Sequence, residues 1–91
     1  MLFVSFLTPI GGTPQERVAR RLDWNYPEDV RLVAEYWLQN SDPSVVVIFE
    51  ADNVFAMEKS RVDWGDFFDI ITVPAMTSEE GMALAKGMMK K

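Results

Sequence analysis

Carboxylates are the side chains through which this sequence could move a proton. It carries fourteen acidic residues against nine basic ones, with no histidine and no cysteine. That composition excludes Ser-His and Cys-His nucleophile pairs, thiolate metal sites, disulfides and iron held by a proximal histidine, so acid–base chemistry falls to carboxylates, Lys or Tyr. Glu35 and Glu50 lie in two strand-like stretches and would face each other across a hairpin if Trp37 paired with Ile48. Two buried carboxylates that close have raised, coupled pKa values and suit a general acid and base. The competing account makes each a hydrogen-bond acceptor, or the partner of Arg31 or of an arginine from another chain. Glu50 is the foremost catalytic candidate because it ends the most strand-like run beside Asp52-Asn53; Glu35 and Asp69 follow. Trp37 offers a stacking surface for a flat ligand or an anchor in a protein interface, and the interface is the commoner use.

Other groupings carry less chemistry. Asp63, Asp66 and Asp69 are three apart, but the turn at Gly65 breaks any shared helical face, so we expect no metal site and no cofactor. Arg17, Arg20 and Arg21 read as a solvated helix face before an anion patch. Gly11-Gly12 precedes a helix start but lacks the Lys-Ser or G-x-G-x-x-G context of a phosphate loop.

The elements that must position these residues follow from local signals. An apolar run over 2–8, bounded by Pro9 and Gly11-Gly12, is a buried strand. Thr13-Pro14-Gln15-Glu16 is a capping box with proline at the first helical position, opening a helix to about Leu22 or Trp24, with Glu16 and Arg20 four apart in the favourable order. A strand over 30–39, a hairpin loop over 40–44 and a strand over 45–51 come next. Asp52 or Asn53 caps a second helix ending near Val62, and a strand over 67–76 contains Pro74, which belongs near an edge or end. Thr77 with Glu80 opens a final helix with an apolar stripe of Met82, Leu84, Ala85, Met88 and Met89, closed by Lys86, Lys90 and Lys91. The order β-α-β-β-α-β predicts an α+β, ferredoxin-like antiparallel sheet with its helices on one face, a short C-terminal helix, and one domain over 1–91.

Alternation in the second strand assigns Leu32, Ala34, Tyr36 and Leu38 to the helix side and Arg31, Val33, Glu35 and Trp37 to the outer side. The same period places Phe3, Ser5, Leu7, Val46, Ile48, Glu50, Asp69, Ile71 and Val73 outside. The outer face is then broadly apolar, and Phe3, Val33, Trp37, Ile48 and Ile71 are expected to line a dimer interface or a ligand site there. A chain of 91 residues buries only about 60–65% of its unfolded surface, which favours self-association. The net charge of −5 repels phosphate backbones and anionic membranes, so neither nucleic acid nor membrane is an expected partner. The opening Met1–Leu7 run has no basic segment before it and is too short for a span, which predicts a soluble, cytoplasmic protein.

Tyr36-Trp37, Phe49-Glu50-Ala51-Asp52 and the Trp64, Asp66, Phe68-Asp69, Pro74 run together resemble a family of short domain-of-unknown-function proteins placed among the dimeric α/β barrels. The resemblance spans most of the chain and implies two copies stacking their sheets face to face. It includes cofactor-independent monooxygenases, small isomerases and haem enzymes among its relatives, the last excluded by the missing histidine. Three functions follow as expectations. The first is a homodimer without catalysis that encloses a small apolar ligand between sheet and helices. The alternative is a cofactor-independent, monooxygenase- or isomerase-like enzyme on a small aromatic or carbonyl compound. The third is an RNA-recognition module, disfavoured because Val45-Val46-Val47-Ile48-Phe49-Glu50 lacks the basic-glycine-aromatic signature.

Overall fold

The computed structural model describes residues 1–89, and the expected roles of Lys90 and Lys91 at the helix end lie outside them. The elements are β1 (Leu2–Pro9), α1 (Pro14–Asp23), β2 (Arg31–Trp37), β3 (Val45–Glu50), a 3-10 turn (Val54–Met57), α2 (Glu58–Trp64), β4 (Phe68–Ala75) and α3 (Ser78–Met89). The strands form one antiparallel sheet in the order β2-β3-β1-β4, the ferredoxin-like arrangement. Its start and stop signals are chemical. Thr13 and Glu16 exchange both bonds of a capping box at α1, Asn53 accepts from the Phe55 amide to open the 3-10 turn, and Thr77 and Glu80 cap α3. Pro74 sits near the end of the edge strand β4, where a missing donor costs no ladder bond.

Register settles which side chains share a face. Phe3 pairs with Phe49 and Pro74, Ser5 with Val47 and Thr72, and Leu7 with Val45 and Ile70. This is the helix-covered side: Phe3, Val47, Phe49 and Ile70 are all buried. Phe3, Ser5 and Leu7 therefore point inward, against the expectation above. The cause is that β1 is apolar on both faces, Leu2-Phe3-Val4-Ser5-Phe6-Leu7, and so carries no alternation to read. In β2 the register shifts between Leu32, opposite Phe49, and Ala34, opposite Ile48. Val33 is the extra residue of this bulge, and it reverses the parity of everything after it. Downstream, Glu35 opposes Val47 and Trp37 opposes Val45, which turns both to the helix side, while Ala34 and Tyr36 go outside. The assignments of Val46, Ile48, Glu50, Asp69, Ile71 and Val73 to the outer face agree with the pairing.

The core has two clusters. Phe3, Val30, Val47, Phe49, Ala51, Ala56 and Met57 form one, with Phe3 and Phe49 stacked at 5.4 Å between ring centroids. Trp64, Phe67, Phe68 and Ile70 form the other. Leu7 and Val45 touch both, and the space between the clusters is not filled. The one fully buried polar side chain of the sheet, Ser5, is satisfied by Thr72 Oγ1 at 2.7 Å, as burial of a hydroxyl requires. Helix α3 buries no residue.

Candidate functional site

The gap between the two core clusters is a cavity of about 280 Å³. Its sheet wall is Leu7, Glu35, Trp37, Val45, Val47, Phe68 and Ile70; its helix wall is Arg17, Val18 and Arg21 of α1 with Met57, Ser60 and Trp64. Trp24 and Tyr26, in the segment after α1, complete an aromatic lining. These rings brace one another. Trp24 meets Tyr26 edge-on at 4.7 Å and Trp64 at 5.7 Å, and Trp64 leans on Phe68 at 5.7 Å. Such edge-to-face pairs add about 0.5–1.5 kcal/mol each beyond burial.

Glu35 is the polar centre of this wall. Its carboxylate accepts from Arg21 Nε and a terminal guanidinium nitrogen at 3.1 Å, from the Tyr26 hydroxyl, and from Trp37 Nε1 at 2.7 Å. Burial alone would push the Glu35 carboxyl up, but the hydrogen bonds from Arg21, Tyr26 and Trp37, together with the Arg21 charge, outweigh it and hold the group below the usual carboxylate range. The Tyr26 phenol moves the other way, raised by burial and by its hydrogen bond to Glu35. The Arg21 guanidinium is raised by its hydrogen bonds to Glu35. The cluster thus holds one ionised acid, one cation and one neutral phenol, with the acceptor positions of Glu35 occupied. That makes Glu35 an organiser of the cavity wall and a poor base.

The expected pairing of Glu35 with Glu50 does not form. Trp37 opposes Val45, not Ile48, and the two glutamates lie on opposite faces of the sheet. Glu50 is half exposed and paired with Arg31 at 3.1 Å, and it lines a separate recess of about 370 Å³ with Met1, Leu2, Ala75 and Glu80. Asp69 is exposed on the outer side opposite Thr8. Of the candidate site residues proposed from the sequence, the structure brings Glu35 and Trp37 to the cavity, and Leu7, Arg17 and Arg21, expected on the outer sheet face and on a solvated helix face, line it as well. Phe3 is buried at 3% exposure in the core cluster with Ala56 and Met57 of the 3-10 turn, Val33 protrudes in the bulge, and Ile48 and Ile71 face outward.

The arginines of α1 are neither an anion patch nor a solvated face. Arg17 donates to the Gly11 and Gly12 carbonyls. Arg20 leaves Glu16 for a two-pronged bond to Asp66 at 2.7 and 2.9 Å and stacks 3.8 Å above the Phe67 ring. Arg21 holds Glu35. Asp63, Asp66 and Asp69 diverge accordingly: Asp63 accepts from Trp24 Nε1 at 2.9 Å, Asp66 from Arg20, and Asp69 faces away. Among the described residues no three acidic side chains gather where they could hold a metal. Gly12 adopts φ of 72° with the Phe67 ring packed where a Cβ would stand, so its glycine serves a tight turn.

Tyr26, Trp24 and Ser60 are cavity residues that the sequence reading passed over, and Arg21 reads there as part of a solvated helix face. Arg21, Trp24 and Tyr26 did carry a signal, a cation and two aromatics within six positions at a helix end. The family profile described as "Domain of unknown function (DUF3303)" matches residues 1–89, and the chain belongs to that family. Neither the search of curated proteins nor that of solved structures found a match.

Proposed function

From membership of a family described as a domain of unknown function, we propose that this chain is a small-ligand binder: the aromatic cavity takes a compact apolar molecule, and two copies associate through the uncovered sheet face. The observation that carries the reading is the cavity itself. About 280 Å³ stays unfilled between Trp24, Trp37, Trp64, Val47 and Ile70, in a cleft that opens to solvent, where Val18 and Trp37 are exposed. An apolar, mostly aromatic concavity with one organised polar cluster is the usual form of a small-molecule site. No catalytic step enters this reading, since the only carboxylate at the cavity, Glu35, has its acceptor positions occupied.

The test uses naphthalene as the probe and the tryptophan emission of the protein as the readout, since all three tryptophans line the cavity. Saturable quenching is expected. Val18, on α1 and only part-covered, projects at the cavity wall, and Val18→Trp fills the space without disturbing the core. That variant is expected to keep its far-UV circular dichroism and to lose naphthalene affinity at least tenfold. Binding that is absent from the parent, or unaltered in Val18→Trp, overturns the reading.

A further inference from the structure

We infer that the ligand is an uncharged aromatic of one or two fused rings bearing a single oxygen, and that this oxygen is met by the Ser60 hydroxyl on the floor of the cavity; this rests on the cavity reading above. Ser60 lines the cavity and is 3% exposed. Its hydroxyl donates only to the Met57 sulfur at 3.8 Å, and a thioether is a weak acceptor. Buried hydroxyls normally reach a stronger partner, because an unsatisfied donor forfeits its whole hydration. Ser5, the other buried serine, does so through Thr72 at 2.7 Å. Ser60 is therefore the deeply buried donor of the site left to a weak acceptor: Trp24 Nε1 is taken by Asp63, Trp37 Nε1 and the Tyr26 hydroxyl by Glu35, and Arg21 by Glu35 and the Trp24 carbonyl, while Ser44 and Gln39, which also line the site, are half-buried and exposed and keep water as a partner.

Size and charge narrow the class. An apolar cavity of roughly 150 Å³ accepts a benzene ring, so about 280 Å³ has room for two fused rings. Around the floor, the Arg21 cation and the Glu35 anion neutralise each other at 3.1 Å, leaving no unspent charge for an ionic head. Arg17, the other lining cation, belongs to α1, buries less than Ser60, and donates to the Gly11 and Gly12 carbonyls. A carboxylate driven down to the buried Ser60 would be desolvated there. A phenol or ketone oxygen would cost little there and would gain the Ser60 donor.

Three probes of one shape decide the matter at pH 7: naphthalene, 1-naphthol and 1-naphthoate, titrated against tryptophan emission in the parent and in Ser60→Ala. Naphthol is expected to bind about three- to tenfold more tightly than naphthalene, the factor one neutral hydrogen bond supplies, and naphthoate at least tenfold more weakly than naphthol. Ser60→Ala, which removes a poorly partnered hydroxyl, is expected to lose the preference for naphthol over naphthalene. Naphthalene binding with no naphthol preference, a preference that survives Ser60→Ala, or naphthoate binding as well as naphthol overturns this inference while leaving the cavity reading intact. If no probe binds, both fall.

Discussion

Four donors converge on the Glu35 carboxylate, and the consequence is a defined pH response. Because the folded-state value lies below the ordinary one, unfolding takes up a proton between the two. The stabilisation is therefore complete above about pH 5, shrinks as the pH falls toward and through the depressed folded value, and is gone beneath it. Glu35→Gln keeps the shape but strips the charge. It leaves Arg21, whose side chain is 31% exposed, without an anionic partner, and the partial exposure moderates the loss to about 1–3 kcal/mol at pH 7. Urea denaturation from pH 7 down to pH 3 checks both statements: the variant is expected to start less stable and to lose less with acid. Parallel acid limbs for the two proteins would show that Glu35 is not the group responsible.

Helix α1 positions Arg17, Val18 and Arg21 at the cavity while burying none of its own residues, so its anchorage is polar: the capping box at Thr13, the Arg20–Asp66 bond and the Arg21–Glu35 bond. Thr13→Ala is expected to lower global stability by about 1 kcal/mol. The same substitution at Thr77, which makes an equivalent box at the start of α3, is expected to leave the urea midpoint nearly unchanged, since α3 buries nothing. Equal losses at both positions would mean that α3 is part of the cooperative core. Capping boxes, hairpin loop and strand runs were legible in the sequence because each is a local signal confined to a few neighbours. The faces of β3 and β4 agree with the pairing too, although β3 is apolar on both sides up to Glu50 and carries little alternation of its own. The cavity was not legible, for reasons with addresses: β1 is apolar on both sides, and the bulge at Val33 inverts the parity of β2, which carries Glu35 and Trp37 from the expected outer surface to the helix side. Arg21 and Glu35 are fourteen positions apart, a pairing that only the packing of α1 over β2 creates.

At the scale of the whole molecule, the described residues span 54 × 28 × 17 Å with a radius of gyration of 15.4 Å, against about 12 Å for a compact domain of this length. Two surfaces are left without partners. The outer sheet face shows Tyr36 and Ile71 at 57% exposure, with Phe6 and Val73 beside them, and α3 shows Met82, Leu84, Met88 and Met89. Isolated helices of a dozen residues are marginal in water, so the twelve-residue α3 needs a surface to hold it. In the proposed dimer that surface belongs to the second copy. Four strands at about 4.8 Å spacing and roughly 24 Å length present on the order of 450 Å² in plan, short of the roughly 800 Å² per partner that a stable interface buries. In the proposed dimer, α3 laid across the partner would add to the area that the stacked sheets bury. Sedimentation velocity at 20–50 µM, a range chosen to expose roughly micromolar association, is expected to give a dimer for the parent. Ile71→Asp, which forces a charge into the centre of the contact, is expected to give a monomer that keeps its fold. A chain ending at Thr77 is expected to dimerise at least tenfold more weakly without becoming unfolded. A monomeric parent would remove the second copy from the account, and a dimer indifferent to Ile71→Asp would place the contact elsewhere than the sheet.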